Sequence, residues 1–222
     1  MTLAHLFRPP RAASPRPPLA ILLHGLGADE HDLHALAPWL DPRLAVVSAR
    51  APREAQPMGY SWFDIDWSES PPRVDAGQVV ESRDLLLRFA DEAAAATGAD
   101  PGRTWLVGFS QGATMATAAA LARPDRFRGV VAHSGRIARG AVPAVPPPGL
   151  AGFPFLWQHG VADPVVPVEF GREARDLLAS LGARVDHREY DIGHEISGES
   201  LGDLAAWLSE RIDEATAAPG AR

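Results

Sequence analysis

The chain has 222 residues, of which 46% are hydrophobic and 22% charged, with a formal net charge of −7. This size fits one α/β domain, and an acidic balance without a basic block argues against nucleic acid or an anionic membrane surface as a partner. The absence of cysteine excludes disulfides, thiolate chemistry and a cysteine zinc site. No segment has the apolar core of a signal peptide or the roughly 20 apolar residues of a membrane span, so we expect a cytoplasmic protein without stable membrane insertion.

The first elements alternate between apolar strands and a helix. Continuous apolar runs, typical of strands buried on both faces, lie at 19–23 and 44–48. Between them, Asp29 can cap a helix over about residues 30–40. Residues 51–78 then form a long, irregular and aromatic loop, and loops of this length in a compact domain are usually functional.

The rest of the chain continues the alternation. Helical spacing runs over 78–96, and Gly98 suits its C-terminal stop. Further strands are expected at 104–109, 130–132, 155–158 and 185–190, and further helices at 113–122, 169–181 and 200–214. Such alternation predicts an α/β fold with a mostly parallel sheet covered on both faces by helices. Because ligands bind beyond the carboxyl ends of parallel strands, residues that follow the strands should converge on one rim.

Residues 108–112, Gly-Phe-Ser-Gln-Gly, have the Gly-x-Ser-x-Gly pattern between an apolar strand and a small-residue helix. A serine at such a sharp strand-to-helix turn has a strained backbone and an accessible hydroxyl. Gly108 and Gly112 keep the neighbouring turns free of side-chain clash. We therefore predict that Ser110 is a nucleophile, and the alternative is a chance glycine-flanked serine in a loop.

A serine nucleophile needs a base and a group that orients the base. His194 lies in a loop after the last predicted strand and is the strongest base candidate, although a loop histidine can also simply face water. His133 follows another strand and is a second histidine that could line the site. Asp163, held in a turn by the following proline, is the favoured acid, and Asp191 is its competitor.

Two backbone amides are expected to stabilise the oxyanion. One is the N–H of Gln111, directly after the nucleophile, and the other is the N–H of Leu26 in the His-Gly-Leu-Gly loop after the first predicted strand. His24 should brace this loop through hydrogen bonds, but the four residues could also be an ordinary turn. His31 and His34 have a spacing that could bind a metal, yet no third ligand is evident, so we predict no metal site.

Five segments occur together and in a fixed order. They are Leu23-His24-Gly25-Leu26-Gly27-Ala28-Asp29-Glu30, Tyr60-Ser61-Trp62-Phe63-Asp64-Ile65, Gly108-Phe109-Ser110-Gln111-Gly112-Ala113, His159-Gly160-x-x-Asp163-Pro164-Val165-Val166-Pro167 and Gly193-His194-Glu195-Ile196. Over about residues 19–212 this pattern resembles the phospholipase/carboxylesterase family, which includes acyl-protein thioesterases and small bacterial carboxylesterases. The resemblance implies an α/β-hydrolase fold without a large cap domain, no cofactor, a Ser110–Asp163–His194 triad, and an oxyanion hole from the Leu26 and Gln111 amides.

The same resemblance suggests where the substrate binds. In the family, the loop with the Trp-Phe-Asp segment helps to form the acyl-binding groove, so Met58, Tyr60, Trp62 and Phe63 are candidate substrate contacts. Aromatic packing explains these residues equally well. The chain departs from the family pattern at 133–136, where the more apolar start of the Ser-Gly block is replaced, and at 197–199, after Glu195. The first departure can change the rim of the pocket.

These expectations define three parts of the chain and one function. Residues 1–18 are rich in proline and should be extended or mobile, 19–214 should form one α/β-hydrolase domain, and 215–222 should be a frayed tail. We predict a serine hydrolase of short to medium acyl esters, with thioesters and lysophospholipids as further candidate substrates, acting as a monomer or homodimer. The alternatives are a non-catalytic module that binds small acylated ligands, and an acyltransferase or amidase on the same scaffold.

Overall fold

The computed structural model of the protein describes residues 1–69 and 71–217. The strands are β1 (His5–Arg8), β2 (Leu19–Leu23), β3 (Ala45–Ala49), β4 (Arg53–Glu54), β5 (Tyr60–Ser61), β6 (Ile65–Asp66), β7 (Arg73–Val74), β8 (Thr104–Phe109), β9 (Gly129–His133), β10 (Pro154–Gly160) and β11 (Arg184–Tyr190). The helices are α1 (Glu30–His34), α2 (Ala76–Thr97), α3 (Gln111–Ala122), α4 (Val168–Ser180) and α5 (Gly198–Ala217). Short 3-10 turns lie at Ala37–Trp39, Pro101–Arg103, Pro124–Arg126 and Arg139–Ala141.

Seven strands form the central sheet, in the order β1-β3-β2-β8-β9-β10-β11. All neighbours pair in parallel except β1, which is antiparallel to β3. The predicted mostly parallel sheet is therefore confirmed. Because the parallel strands share one direction, the segments after β2, β8, β10 and β11 all leave the same edge of the sheet.

Strand β1 lies outside the predicted domain. Its four residues pair with β3 from His5 opposite Ala49 to Arg8 opposite Val46. The segment is extended, as the sequence allowed, but it belongs to the sheet, so the domain begins before residue 19. Without β1, strand β3 would lie at the edge of the sheet with unpaired N–H and C=O groups. A short segment can pair with these groups without an apolar run of its own, which is why the sequence pattern missed β1.

The core has one layer on each face of the sheet. One cluster contains apolar residues of α2, α3 and α4, such as Phe89, Ala116 and Leu178, and the other joins α1 and α5 through Leu33 and Trp207. Side chains of β8 alternate between the two clusters, as period-two strands buried on both faces require. Helices on both faces are thus confirmed.

Helix boundaries follow their capping residues. The Asp29 carboxylate accepts a 2.8 Å hydrogen bond from the His31 N–H, which confirms the predicted cap of α1. This helix ends at His34 instead of residue 40, and a 3-10 turn follows, because Pro38 has no N–H to continue an α-helix. Gly98 has a φ of +67° and ends α2 as predicted.

The 51–78 region is more ordered than an irregular loop. It contains two small antiparallel hairpins, β4 with β5 and β6 with β7, and its last residues belong to α2. At the other end of the chain, α5 extends to Ala217, so the first residues of the predicted tail are helical, and residues 218–222 lie outside the described residues. Within the described part of the chain, no helix has both the length and the apolar character that crossing a bilayer requires.

Candidate active site

Ser110 lies at the turn between β8 and α3, with φ 55° and ψ −117°. A residue other than glycine rarely adopts this backbone conformation, which costs about 1–3 kcal/mol and persists only where the surroundings enforce it. The two flanking glycines enforce it by close packing. A Cβ on Gly108 would lie 2.2 Å from the Gly112 oxygen, and a Cβ on Gly112 would lie 1.8 Å from the Leu23 oxygen. The predicted strained turn is confirmed.

Three side chains that are distant in the sequence meet at this turn. His194 Nε2 lies 3.0 Å from Ser110 Oγ, and His194 Nδ1 lies 2.7 Å from Asp163 Oδ2. The carboxylate can only accept, so Nδ1 donates to it and Nε2 is left to accept the serine proton. The predicted convergence is therefore present, while the catalytic roles of these residues stay predictions.

The Asp163 carboxylate is buried and held from both sides. Its Oδ1 accepts backbone N–H bonds from Val165 at 2.9 Å and Val166 at 2.8 Å. Burial raises the pKa of this carboxyl, but the hydrogen bonds from His194 and from the two amides outweigh burial and lower the pKa overall. Asp163 is therefore ionised at neutral pH and can stabilise an imidazolium.

The loop after β11 positions His194. Its ring packs against Phe109, with the ring centroids 4.9 Å apart, and its side chain is 17% exposed. Asp191, the competing acid, is exposed and forms no hydrogen bond with His194 among the described residues. The geometry thus distinguishes the two carboxylates, which the sequence could only rank.

His133 and His159 are buried histidines of β9 and β10 that lie outside the serine–histidine pair. His159 Nε2 donates to the Val166 carbonyl at 2.8 Å, and burial lowers the pKa of His159. This neutral ring secures the turn that carries Asp163, a role the sequence analysis did not identify. His133 bonds to Ser134 and Ser200 instead of Ser110, and burial lowers its pKa to about 3.

The predicted oxyanion donors belong to segments next to the nucleophile: Gln111 follows Ser110 directly, and Leu26 follows Gly25, where a Cβ would lie 3.3 Å from Ser110 Cβ. Gln111 is the first residue of α3, so its N–H has no acceptor within the helix. The Leu26 N–H has no acceptor within residues 1–69 and 71–217. His24 braces the Leu26 loop as predicted, because its Nδ1 bonds to the Gly25 carbonyl at 2.7 Å and its Nε2 accepts from Ala51 N at 3.0 Å. The two amides are available for an oxyanion, and that role stays a prediction.

The Gln111 side chain ties the turn to the 61–63 segment. Its Oε1 accepts from Trp62 N at 3.0 Å, and its Nε2 donates to the Phe63 carbonyl at 2.7 Å. The Trp62 indole N–H donates to the His24 carbonyl at 3.0 Å, and the residue has 0% exposure. The prediction that Trp62 contacts the substrate is therefore wrong, since a fully buried indole has no surface to offer.

The other predicted substrate contacts differ from one another. Phe63 lines a small cavity beside Ser110. Met58 is 71% exposed. The central carbon of the Arg50 guanidinium lies 4.5 Å from the centre of the Tyr60 ring. Neither Met58 nor Tyr60 lines the small cavity, so their contact with substrate stays a prediction.

The small cavity has a volume of about 30 Å³, and the sequence analysis missed most of its wall. Ile65, Val74, Thr114 and Arg136 line it together with Phe63. Ile65 and Val74 pair with each other in the β6–β7 hairpin, Thr114 lies on α3, and Arg136 lies in the loop after β9. No local motif marks them, and only the departure at 133–136 pointed to this wall.

One group in the described part of the chain has the proximity of metal ligands. One ligand atom each of Asp29, Glu30 and His31 lies within 4.8 Å of the others. However, the Arg50 guanidinium bonds both oxygens of Glu30 at 2.5 Å, and Asp29 caps α1. Because these carboxylates already have partners, the group is explained without a metal.

Comparison with known proteins identifies the family and the fold. The family model described as Phospholipase/Carboxylesterase matches residues 10–212. A probable carboxylesterase of Oryza sativa subsp. japonica is 32% identical over 157 residues, which are 68% of this chain. The match covers 58% of that protein, less than two thirds of its length. Acyl-protein thioesterase 1 of Eremothecium gossypii is 30% identical over 214 residues, 90% of each chain. The crystal structure of esterase PE8 matches with a TM-score of 0.78 at 31% identity, over 94% of this chain and 98% of that chain. This match confirms the predicted α/β-hydrolase fold. The chain belongs to the phospholipase/carboxylesterase family.

Proposed function

We propose that this protein hydrolyses carboxylic esters through an acyl-enzyme on Ser110. The observation that carries the proposal is the chain of contacts from Ser110 Oγ to His194 Nε2 at 3.0 Å and from His194 Nδ1 to Asp163 Oδ2 at 2.7 Å. A nucleophile, a base and an orienting carboxylate at these distances are what acyl transfer requires. The family to which the chain belongs supports the same reaction class.

In the first half-reaction, Ser110 Oγ attacks the ester carbonyl while His194 Nε2 takes its proton. The ionised Asp163 stabilises the imidazolium, and the N–H groups of Leu26 and Gln111 donate to the negative oxygen of the tetrahedral intermediate. His194 then gives the proton to the leaving alcohol, and the acyl group stays on Ser110. General base catalysis typically contributes about 10²–10⁴ in rate, and an oxyanion donor about 10²–10³.

In the second half-reaction, water replaces the alcohol. His194 takes a proton from the water, whose oxygen attacks the acyl carbonyl, and the imidazolium returns the proton to Ser110 Oγ as the acid leaves. Close backbone contacts of Gly108 and Gly112 hold the turn at Ser110, so we expect it to keep its conformation in both half-reactions.

The proposed substrates are short to medium acyl esters. The cavity beside Ser110, of about 30 Å³, is small, so a longer acyl chain must extend beyond it. Thioesters belong in the test as well, because the relative from Eremothecium gossypii is named an acyl-protein thioesterase.

The proposal is tested with nitrophenyl esters of increasing acyl length and the matching thioesters, compared by kcat/KM. Ser110→Ala should keep the fold and lose nearly all turnover, whereas the control Ser180→Ala, an exposed serine at the end of α4, should keep it. Retention of turnover in Ser110→Ala would refute the proposed nucleophile. Product analysis with a competing alcohol or amine distinguishes hydrolysis from acyl transfer.

A further inference from the structure

A cleft of about 360 Å³ adjoins the small cavity beside Ser110, and both are lined by Val74 and Arg136. The cleft lies between the 71–74 segment, the 3-10 turn Arg139–Ala141 and helix α4. A substrate that does not fit beside Ser110 has room in this cleft, which it would reach past Arg136. The chemistry of Arg136 therefore bears on which esters fit.

The backbone at Arg136 is fixed relative to the nucleophile. The Thr114 hydroxyl donates to the Arg136 carbonyl at 2.9 Å, and Thr114 lies four residues after Ser110, about 6 Å along α3. Gly135 allows this approach, because a Cβ there would lie 2.6 Å from the Ala113 Cβ. The backbone of Arg136 is thus held close to the first turn of α3, next to Ser110.

The guanidinium of Arg136 is oriented but not neutralised. Its Nη1 donates to the Pro72 carbonyl at 2.8 Å, and its central carbon lies 4.4 Å from the centre of the Phe170 ring. Its buried Nε has no hydrogen-bond partner, and no carboxylate within residues 1–69 and 71–217 forms an ion pair with it. Burial lowers the pKa of Arg136, yet a guanidinium stays protonated at neutral pH.

The other cations of the cleft differ from Arg136 in this respect. Arg73 is bonded to Glu69 at 3.0 Å, and Arg139 is bonded to Glu173 at 2.9 Å. Both acidic residues are therefore bonded to other arginines. Glu173 attracts Arg136 electrostatically but forms no ion pair with it, so the remaining donors of the Arg136 guanidinium are left for an anion that enters the cleft.

We propose that Arg136 is a specificity-determining residue that binds a carboxylate carried by the ester substrate, so that half-esters of dicarboxylic acids and esters of carboxylate-bearing alcohols are preferred over neutral esters. This inference rests on the proposed esterase function. The planar guanidinium offers a fork of donors that matches a carboxylate, and a bond to a partly desolvated ion is stronger than one in water. One such bond corresponds to about 10- to 100-fold in affinity.

The kinetic test compares two matched pairs of esters, each with and without a free carboxylate. Monomethyl and dimethyl adipate place the charge on the acyl side, and 4-acetoxybenzoate and its methyl ester place it on the alcohol side. In Arg136→Gln, the ratio of kcat/KM for the charged over the neutral ester should fall about 10- to 100-fold in at least one pair, and Arg136→Lys should retain part of it. The control Arg123→Gln removes the same charge from a surface pair with Asp125 and should leave the ratios as in the wild type.

The proposal would be overturned if Arg136→Gln left the ratio unchanged in both pairs, as an equal fall in kcat/KM for charged and neutral esters would do. Arg136 would then have a purely structural role. Binding separates this outcome from a failure of the proposed function. In Ser110→Ala protein, calorimetry should show that monomethyl adipate or 4-acetoxybenzoate binds at least 10-fold more weakly after Arg136→Gln is added. Equal binding in the two proteins would reject the carboxylate site even if the protein proved to have no esterase activity.

Discussion

The substitution Asp163→Asn isolates the contribution of the orienting carboxylate. Oδ1 of Asp163 accepts from the backbone N–H groups of Val165 and Val166, and Oδ2 accepts from His194 Nδ1. An asparagine has one oxygen, and the two backbone donors hold that oxygen at the Oδ1 position. Its NH₂ group then faces Nδ1, which must accept. The imidazole proton therefore moves to Nε2, which can no longer take the proton of Ser110.

The expected loss in kcat is about 10⁴-fold, the size seen when the same change is made in a serine protease triad, or about 5 kcal/mol in the activation barrier. The assay is nitrophenyl butyrate hydrolysis, with circular dichroism to confirm that the fold is kept. The matched control is Asp191→Asn, which removes an exposed carboxylate three residues from His194 and should change kcat less than twofold. If Asp163→Asn kept kcat within tenfold of the wild type, or if Asp191→Asn lost as much, the assignment of the acid would be refuted.

Three further predictions concern stability. Gly112→Ala places a Cβ 1.8 Å from the Leu23 carbonyl oxygen, so it should lower the free energy of unfolding by at least about 3 kcal/mol and Tm by about 6–12 °C. A shift in Tm under 2 °C would contradict the close contact of α3 with β2. Ser110→Gly relieves the strain of the positive φ, whereas Ser110→Ala retains it. Calorimetry should therefore find the glycine variant more stable than the alanine variant by about 1 kcal/mol, and the opposite order would contradict the strain. The Arg43 side chain lowers the pKa of Asp41 to about 2, below the unfolded value of about 3.9, so the unfolded state binds more protons and the stabilisation is lost as pH falls from about 4 to about 2. The pKa difference corresponds to about 2.6 kcal/mol, which solvent screening at the partly exposed Arg43 reduces. In urea melts, Asp41→Asn should therefore remove about 1 kcal/mol of this pH dependence, and an identical pH profile would contradict it.

Most of the site could be predicted because parallel α/β sheets bring strand ends together. Ser110, His194 and Asp163 each follow a strand that apolar runs or alternation predict, so the topology alone predicts that they approach one another. The choice of Asp163 over Asp191 needed coordinates. Both follow a strand and precede the histidine, and only the path of the turn decides which carboxylate reaches Nδ1.

The errors arose where tertiary contacts override local pattern. Trp62 occurs in a long polar and aromatic segment, and its burial depends on hydrogen-bond acceptors from His24 and Gln111, which are far away in the sequence. Strand β1 is four residues long and depends on the free edge of β3. Periodicity within a short window carries neither kind of information.

Arg136 illustrates a third kind of information that is missing from the sequence. The replacement of an apolar segment at 133–136 was visible, but its consequence depends on which neighbours the guanidinium finds. The neighbours are a carbonyl from the 71–74 segment and an aromatic ring of α4, from separate regions of the chain. Whether an arginine is paired or available to a ligand is a property of the assembled fold.

The most direct test of the nucleophile is labelling of the folded protein with a fluorophosphonate, followed by peptide mapping. We predict one phosphonyl group per chain, attached to Ser110 Oγ, with labelling abolished in Ser110→Ala and strongly slowed in His194→Gln. Stoichiometric labelling at a different residue, or no labelling of folded wild-type protein, would contradict the account.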